Sequence, residues 1–111
     1  MNLHLWVYRK ALEFLVKDFL SYLYPKEAGT IKNEWLGTCI KRLSTLNPIL
    51  NANATMVTWI GNNSTHYNKL HPELNIDDLK KYLDVLTAYI AFYVQGKEGE
   101  KYIDEHSSKK K

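Results

Sequence analysis

The chain has 111 residues and a formal net charge of +3, and 45% of its residues are hydrophobic and 24% are charged. This composition is ordinary for one folded domain and excludes a disordered chain. Three of the positive charges are Lys109, Lys110 and Lys111, so the rest of the chain is close to neutral and lacks the basic stripe typical of nucleic-acid binding.

The N-terminal run "MNLHLWVYRKALEFLV" is apolar but is interrupted by charged residues. It therefore has neither the layout of a signal peptide nor that of an uncharged membrane span. Cys39 is the only cysteine, so no intrachain disulfide can form and a reducing compartment is expected. These features predict a cytoplasmic protein without membrane contact. Cys39 occupies an apolar helical position, where we expect a small core residue rather than a nucleophile.

A first helix is predicted over residues 3–23, and it ends before Pro25 because the residue preceding a proline avoids the helical region. Its apolar residues recur at steps of three and four and line one face: Leu5, Tyr8, Leu12, Leu15, Phe19 and Tyr22. Arg9, Glu13 and Lys17 are spaced four apart on another face, which predicts a ladder of ion pairs.

A second helix is predicted from a cap at Thr30 to about Leu46, before the Asn47-Pro48 break. Its apolar residues are Ile31, Trp35, Leu36, Cys39, Ile40 and Leu43. A third helix is predicted from near residue 51 or 53 to residue 67. Its expected apolar face consists of Ala52, Met56, Trp59, Ile60 and Tyr67.

Asn75 is the predicted cap of the last helix, and Asp77 and Asp78 favour the same start because they oppose the positive end of the helix dipole. The apolar face of this helix consists of Leu79, Tyr82, Leu83, Leu86, Tyr89, Ile90, Tyr93 and Val94. Gly96 and Gly99 are expected to end or bend it. Residues 100–106 would then add a short fifth helix, followed by a disordered basic tail over residues 107–111.

The sequence shows no strand-like alternation, so we predict an all-α fold in a single domain over residues 1–106. Short connections force neighbouring helices to run in opposite directions, which predicts an antiparallel four-helix bundle. Several apolar residues on the two long helices fall outside the main apolar faces and predict a homodimer interface. These residues are Val7, Phe14, Val85 and Phe92.

The segment "TWIGNNSTHY" (58–67) contains the main candidate site. Asn62 and His66 are four apart and share a helical face, flanked by Thr58. Asn63 falls within the predicted apolar face beside Trp59, and both are assigned structural roles, because a buried Asn must be hydrogen-bonded. Two interpretations remain open: Asn63 ties two helices together and His66 caps a helix end, or Asn62 and His66 face a groove or dimer seam and contact a ligand.

The four histidines do not have the spacing of a metal site. His66 and His71 are five apart across a predicted loop, which is not a recognised ligand spacing, and His4 and His106 are distant in sequence. We therefore predict no metal and no cofactor.

Three segments, and their order along the chain, are similar to those of a known family. The segments are "YRKALEFLVKDF" (8–19), "TWIGNNSTHY" (58–67) and "NIDDLKKYLDVLTAYIAFYV" (75–94). From about residue 6 to residue 95 the chain resembles an uncharacterised bacterial and phage family within the HEPN superfamily of small helical bundles. Many HEPN proteins are ribonucleases whose motif is an Arg, four to six residues, and a His. In this comparison His66 matches the motif His, Asn62 matches the polar residue after the Arg, and Gly61 occupies the place of the Arg.

Glycine cannot stabilise negative charge that develops on a phosphate, as the motif Arg would. The resemblance therefore implies a non-catalytic, homodimeric binding module in a phage or host-defence context, with a protein partner or a nucleotide-containing ligand such as RNA. Arg9 would supply a planar anion-binding fork if it turned toward the third helix, and it joins Asn62, His66 and Thr58 as a predicted ligand-binding residue. The alternative is a divergent metal-independent ribonuclease that uses His66 with Arg9 or Arg42.

Overall fold

The computed structural model describes residues 3–63 and 73–107, apart from the side chains of residues 3–6 and 63. These ranges contain only helices: α1 (Leu3–Leu23), a 3₁₀ turn (Pro25–Glu27), α2 (Ala28–Asn33), α3 (Leu36–Leu46), α4 (Pro48–Asn63) and α5 (Ile76–Ser107). The all-α class is confirmed over these residues, whereas the antiparallel four-helix arrangement is not, because the predicted second helix is divided in two. No described helix combines the length and apolar character needed to cross a bilayer.

Helix α1 has the predicted bounds, but its buried face is rotated from the predicted one. Leu12 and Phe19 are buried as expected, and Val16 and Leu20 are buried beside them. Tyr22 is instead 41% exposed, and its hydroxyl donates a hydrogen bond to the Glu98 carboxylate at 2.9 Å. The core of the protein therefore lies against the side of α1 that carries Val16 and Leu20.

A bend at Glu34 and Trp35 separates α2 from α3, where the sequence predicts one continuous helix. Thr30 lies inside α2 and is not its cap, because α2 follows directly on the 3₁₀ turn that ends at Glu27. Trp35 has an extended backbone at the N-cap position of α3, and its side chain is 86% exposed rather than part of the apolar face. The bend allows Ile31 on α2 and the apolar residues of α3 to reach one core from two directions.

Arg42 on α3 holds this bend in place. Its Nε donates to Glu34 Oε1 at 2.9 Å and its Nη2 donates to Glu34 Oε2 at 2.6 Å, which is a two-point contact. Its Nη1 donates to Glu27 Oε1 at 3.0 Å. Since Glu27 precedes α2 and Glu34 follows it, one guanidinium ties both ends of the short helix to α3.

Helix α4 begins at Pro48, three residues or more before the predicted start. Proline at the first helical position has no N–H that needs an acceptor, and the Asn47 Oδ1 atom accepts a hydrogen bond from the Ile49 N–H at 2.8 Å. The buried face consists of Leu50, Ala54, Val57 and Ile60. The predicted face was wrong at Ala52, which is exposed, and at Trp59, which is 49% exposed.

Helix α5 starts at the predicted cap. The Asn75 Oδ1 atom accepts hydrogen bonds from the N–H groups of Asp77 at 2.9 Å and Asp78 at 3.2 Å, and Asp78 Oδ2 accepts one from the Asn75 N–H. The helix then continues through Gly96 and Gly99 to Ser107. Residues 100–106 are helical as expected, but they belong to α5 and not to a separate fifth helix. The helix does not end at Gly96 or Gly99, because glycine weakens a helix by about 1 kcal/mol but does not forbid helical dihedrals. The rest of the predicted tail lies outside the described residues.

Cross-helix contacts give the directions of the helices. Tyr8 on α1 lies near Lys80 on α5, Phe19 packs edge-to-face on Tyr93 at 5.6 Å between ring centroids, and Tyr22 bonds Glu98. Residue numbers rise together along both helices, so α1 and α5 run in the same direction. Gly61, near the end of α4, lies beside Arg9, near the start of α1, so the end of α4 reaches the N-terminal half of α1.

Candidate functional site

A cleft of about 240 Å³ opens between the N-terminal half of α1 and the bend that joins α2 to α3. Its lining residues come from both elements: Arg9, Lys10, Glu13, Glu34, Trp35 and Leu36. The cleft exists because the chain bends at Glu34.

Both carboxylates in the cleft are already paired with cations. Glu13 lies 3.0 Å from Lys17 Nζ and 3.3 Å from Lys10 Nζ, and these hydrogen bonds, Lys17 first, hold the pKa of its carboxyl below the usual value. The hydrogen bonds from Arg42 likewise lower the pKa of Glu34. The predicted Arg9–Glu13–Lys17 ladder forms only in part, because Lys10 takes the place of Arg9 in it.

Arg9 is exposed at the edge of this cleft and, within residues 3–63 and 73–107, forms no ion pair. Its stem lies against α4, since a β-carbon built on Gly61 would be 4.0 Å from the Arg9 β-carbon. The structure thus brings Arg9 to the segment in which the resemblance places Gly61 instead of a motif arginine. A planar guanidinium without a carboxylate partner is suited to bind an anion.

Trp35 is the most exposed large apolar side chain in the described part of the chain. It precedes Leu36, where α3 begins with no side-chain cap and no acidic residue in its first turn. The N-terminus of α3 lies at the cleft, where Leu36 is one of the lining residues. An exposed indole beside a guanidinium that forms no ion pair among the described residues favours a ligand with an aromatic ring and negative charge.

Trp35 is not among the predicted site residues, because its helical spacing assigns it to an apolar face. One signal in the sequence was informative. On a straight helix the apolar residues from Ile31 to Ile40 would spread over about 180°, whereas an ordinary buried stripe is about 100° wide. An apolar arc of that width is typical of two helices joined at an angle.

The predicted ligand-binding residues on α4 fall on its last described turns. The Thr58 Oγ1 atom donates a hydrogen bond to the Ala54 carbonyl at 3.1 Å, so this proton is already committed to its own helix. Asn62 is half-buried and follows Gly61, next to Arg9. The side chain of Asn63 and all of His66 lie outside the described residues, so their predicted roles, and the structural role of Trp59, remain predictions.

The other candidate groups lie away from the cleft or are committed to the fold. Arg42 is saturated by Glu34 and Glu27, and their hydrogen bonds raise the pKa of its guanidinium. Cys39 is fully buried and burial raises the pKa of its thiol, in keeping with a core residue. Among the described residues, no group of three or more His, Cys, Asp or Glu side chains has the arrangement of a metal site.

The four residues of the predicted homodimer interface are exposed on the outer sides of α1 and α5. The exposed fractions are 56% for Val7, 63% for Phe14, 50% for Val85 and 77% for Phe92. Exposed side chains of this size are available for contact with a partner.

No known family model, curated protein or solved structure matches the chain. The cleft and the exposed faces are therefore the features that bear on function.

Proposed function

We propose that the protein is a non-catalytic, HEPN-like binding module that holds a nucleotide-containing ligand in the cleft between α1 and the α2–α3 bend. One observation carries the proposal: the exposed indole of Trp35 lines the same cleft as the Arg9 guanidinium, which forms no ion pair among the described residues. A base and a phosphate are the two parts of a nucleotide, and these two side chains are suited to bind one each.

Each part of the cleft contributes a different interaction. A base stacked on an aromatic side chain gains about 1–3 kcal/mol, and the planar Arg9 fork matches the oxygens of a phosphate. Lys10 also lines the cleft, although its Nζ lies 3.3 Å from Glu13. Because Glu13 and Glu34 are paired with cations, they repel a phosphate less than free carboxylates would.

The proposal includes a homodimer, a cytoplasmic location and a phage or host-defence context. The exposed apolar residues Val85 and Phe92 on α5 support the homodimer. The location and context follow from the resemblance and from the sequence alone.

A direct test measures binding of a fluorescein-labelled single-stranded RNA of about eight nucleotides by fluorescence anisotropy, a length within the usual range of single-strand sites. The Trp35→Ala variant should raise the Kd about 5- to 150-fold, the equivalent of about 1–3 kcal/mol. The Arg9→Gln variant should raise it about 10-fold or more and make binding less sensitive to salt, because a charge-assisted contact is lost.

Two control variants remove a cation and an aromatic ring at positions outside the cleft. Lys26→Gln removes an exposed cation from the 3₁₀ turn at the far end of α1, and Tyr102→Ala removes an exposed aromatic ring from the end of α5. Both should leave the Kd unchanged. Equal affinity in Trp35→Ala and Tyr102→Ala, or no binding by the parent protein, would refute the proposal.

The position of Arg9 beside Gly61 favours one rival, the divergent ribonuclease, because a neighbouring helix supplies the arginine that the motif lacks. Incubating the protein with RNA and a chelator distinguishes the two functions. A binding module leaves the RNA intact at every enzyme concentration. Cleavage that disappears in both Arg9→Gln and His66→Ala, but not in Lys26→Gln, would establish the ribonuclease instead.

A further inference from the structure

Four residues on the outward side of α5 form a continuous line, which we call the α5 seam: Val85, Phe92, Gly96 and Ile103. At 100° per residue their directions agree within about 40°. Val85, Phe92 and Ile103 are 50%, 77% and 60% exposed. Gly96 is exposed as well, and a β-carbon built on it would meet nothing within 4 Å.

The C-terminal part of the seam lies on a stretch of helix that is exposed in the described part of the chain. Residues 100–107 are all exposed, and the hydrogen bond from Tyr22 reaches α5 only as far as Glu98. A short helical extension is marginal in water, and Gly96 and Gly99 each weaken it by about 1 kcal/mol. A partner along this stretch would offset that weakness.

The spacing of the seam is symmetric. Val85 and Phe92 are seven residues apart, as are Gly96 and Ile103, and the two pairs are equidistant from Val94. A twofold axis at the level of Val94 therefore places Val85 of each copy against Ile103 of the other, and Phe92 against Gly96. Such self-complementarity is the requirement for an isologous contact between two identical chains.

The surface beside Gly96 has the shape that this pairing needs. A shallow depression of about 390 Å³ lies there, lined by Phe92, Tyr93, Gly96, Lys97 and Glu100. In the antiparallel arrangement the Phe92 ring of the second copy enters this depression. Glycine at residue 96 leaves the room that the ring requires.

The length of the seam sets an upper limit on the contact area. The symmetric stretch from residue 81 to residue 107 is about 39 Å long, and half the circumference of a helix 10–12 Å wide is about 17 Å. Covering all of that strip removes at most about 650 Å² from each copy, or about 1,300 Å² in total, near the lower end of the 1,200–2,000 Å² of standard interfaces. Tyr82, Tyr89 and Tyr93 beside the seam are already partly covered by the core.

We propose that the protein dimerises through the α5 seam, with a second copy of the chain packed antiparallel along α5 about a twofold axis at the level of Val94. The inference rests on the homodimeric part of the proposed function and specifies its interface. Phe14 and Val7 on α1 lie outside this contact.

Size-exclusion chromatography with light scattering on the full chain tests the contact. Phe92→Gly and Gly96→Phe should each raise the dimer Kd roughly 100-fold or more. The first removes two aromatic rings from each dimer, and the second places a phenylalanine at residue 96 against Phe92 of the other copy, where there is room for only one ring. The double variant restores a ring facing a glycine across the axis and should dimerise like the parent. Ile49→Ala removes an exposed apolar side chain from α4, which has no part in the seam; it is the control and should remain dimeric.

A monomeric parent protein would overturn the proposal. So would dimers that survive Phe92→Gly, or that are lost in Ile49→Ala alone. If both single variants are monomeric and the double variant does not dimerise, the twofold axis does not lie at the level of Val94 and the proposed register is overturned.

Cross-linking gives an answer that does not depend on how the glycine variants fold. In a Cys39→Ala background, a chain carrying Val85→Cys is mixed with one carrying Ile103→Cys. A disulfide should form in the mixture and not in either protein alone. In the antiparallel pair, residue 85 of one copy lies about 27 Å along the helix from residue 85 of the other, and the same holds for residue 103. Cross-linking of each protein with itself indicates a parallel pair and overturns the arrangement. Neither assay uses RNA, so a failure of nucleotide binding leaves both results interpretable.

Discussion

Replacing Asn47 by alanine should destabilise the protein through two separate contacts. Its Oδ1 accepts a hydrogen bond from the Ile49 N–H at 2.8 Å at the start of α4, and its Nδ2 donates to the Tyr89 hydroxyl on α5 at 2.6 Å. Loss of an N-cap costs about 0.5–2 kcal/mol, and loss of a partly buried hydrogen bond costs about 0.5–1.5 kcal/mol. The free energy of unfolding should therefore fall by about 1–3 kcal/mol in Asn47→Ala.

Tyr89→Phe separates the two contributions, because it removes the contact with α5 and leaves the cap in place. We expect it to cost about 0.5–1.5 kcal/mol. The double variant should lose less than the sum of the two single variants, since the shared hydrogen bond can be lost only once. The coupling energy should match the cost of Tyr89→Phe within a few tenths of a kcal/mol.

Urea unfolding followed by far-UV circular dichroism measures all three variants, with a shifted midpoint and an unchanged slope expected for each. Asn53→Ala is the matched control: its side chain donates only to the Ile49 carbonyl one turn earlier in α4, so its removal should cost less. Additive losses in the double variant would show that Asn47 and Tyr89 are not coupled. A loss in Asn47→Ala no larger than that in Tyr89→Phe would show that the cap contributes nothing.

Two further predictions concern the edge of the cleft. Gly61→Ala should raise the Tm and stabilise the protein by about 0.5–1 kcal/mol, since the added carbon makes an ordinary 4.0 Å contact with Arg9; a lower Tm would show that α1 and α4 pack more tightly there. Arg42 holds the pKa of Glu34 below 4.5, so the stabilisation is present above about pH 4.5 and is lost as the pH falls through the lowered pKa. Glu34→Gln should flatten the stability profile in that acid range, and a profile as steep as the parent's would contradict the assignment.

The parts of the fold that the sequence predicted correctly depend on local interactions. Pro25 ends α1 because its ring restricts the preceding residue, and Asn75 begins α5 because its side chain bonds N–H groups two and three residues later. The start of α4 was predicted too late, since a proline can occupy the first helical turn as well as end a helix. At Gly96 and Gly99 the sequence predicted a helix end that does not occur, because the low helix propensity of glycine alone does not break a helix.

The candidate site was predicted in part. Arg9 was identified as an anion-binding residue from its type, and the structure places it in a cleft and beside Gly61. Trp35 was assigned to an apolar face, and the structure exposes it. The difference arises at the bend, which is fixed by Arg42 contacting carboxylates 8 and 15 residues away. Such contacts cannot be derived from helical periodicity.

The sequence by itself determined the helical class, the end of the first helix and the start of the last, because periodicity, proline and capping act over a few neighbouring residues. Only the tertiary structure decided where the second helix bends, which way α1 and α5 run, and which faces remain uncovered. Those properties depend on pairs such as Tyr22 with Glu98 and Arg42 with Glu34, whose partners meet only when the helices pack. The cleft and the α5 seam exist because of that packing, and the proposed functions depend on them.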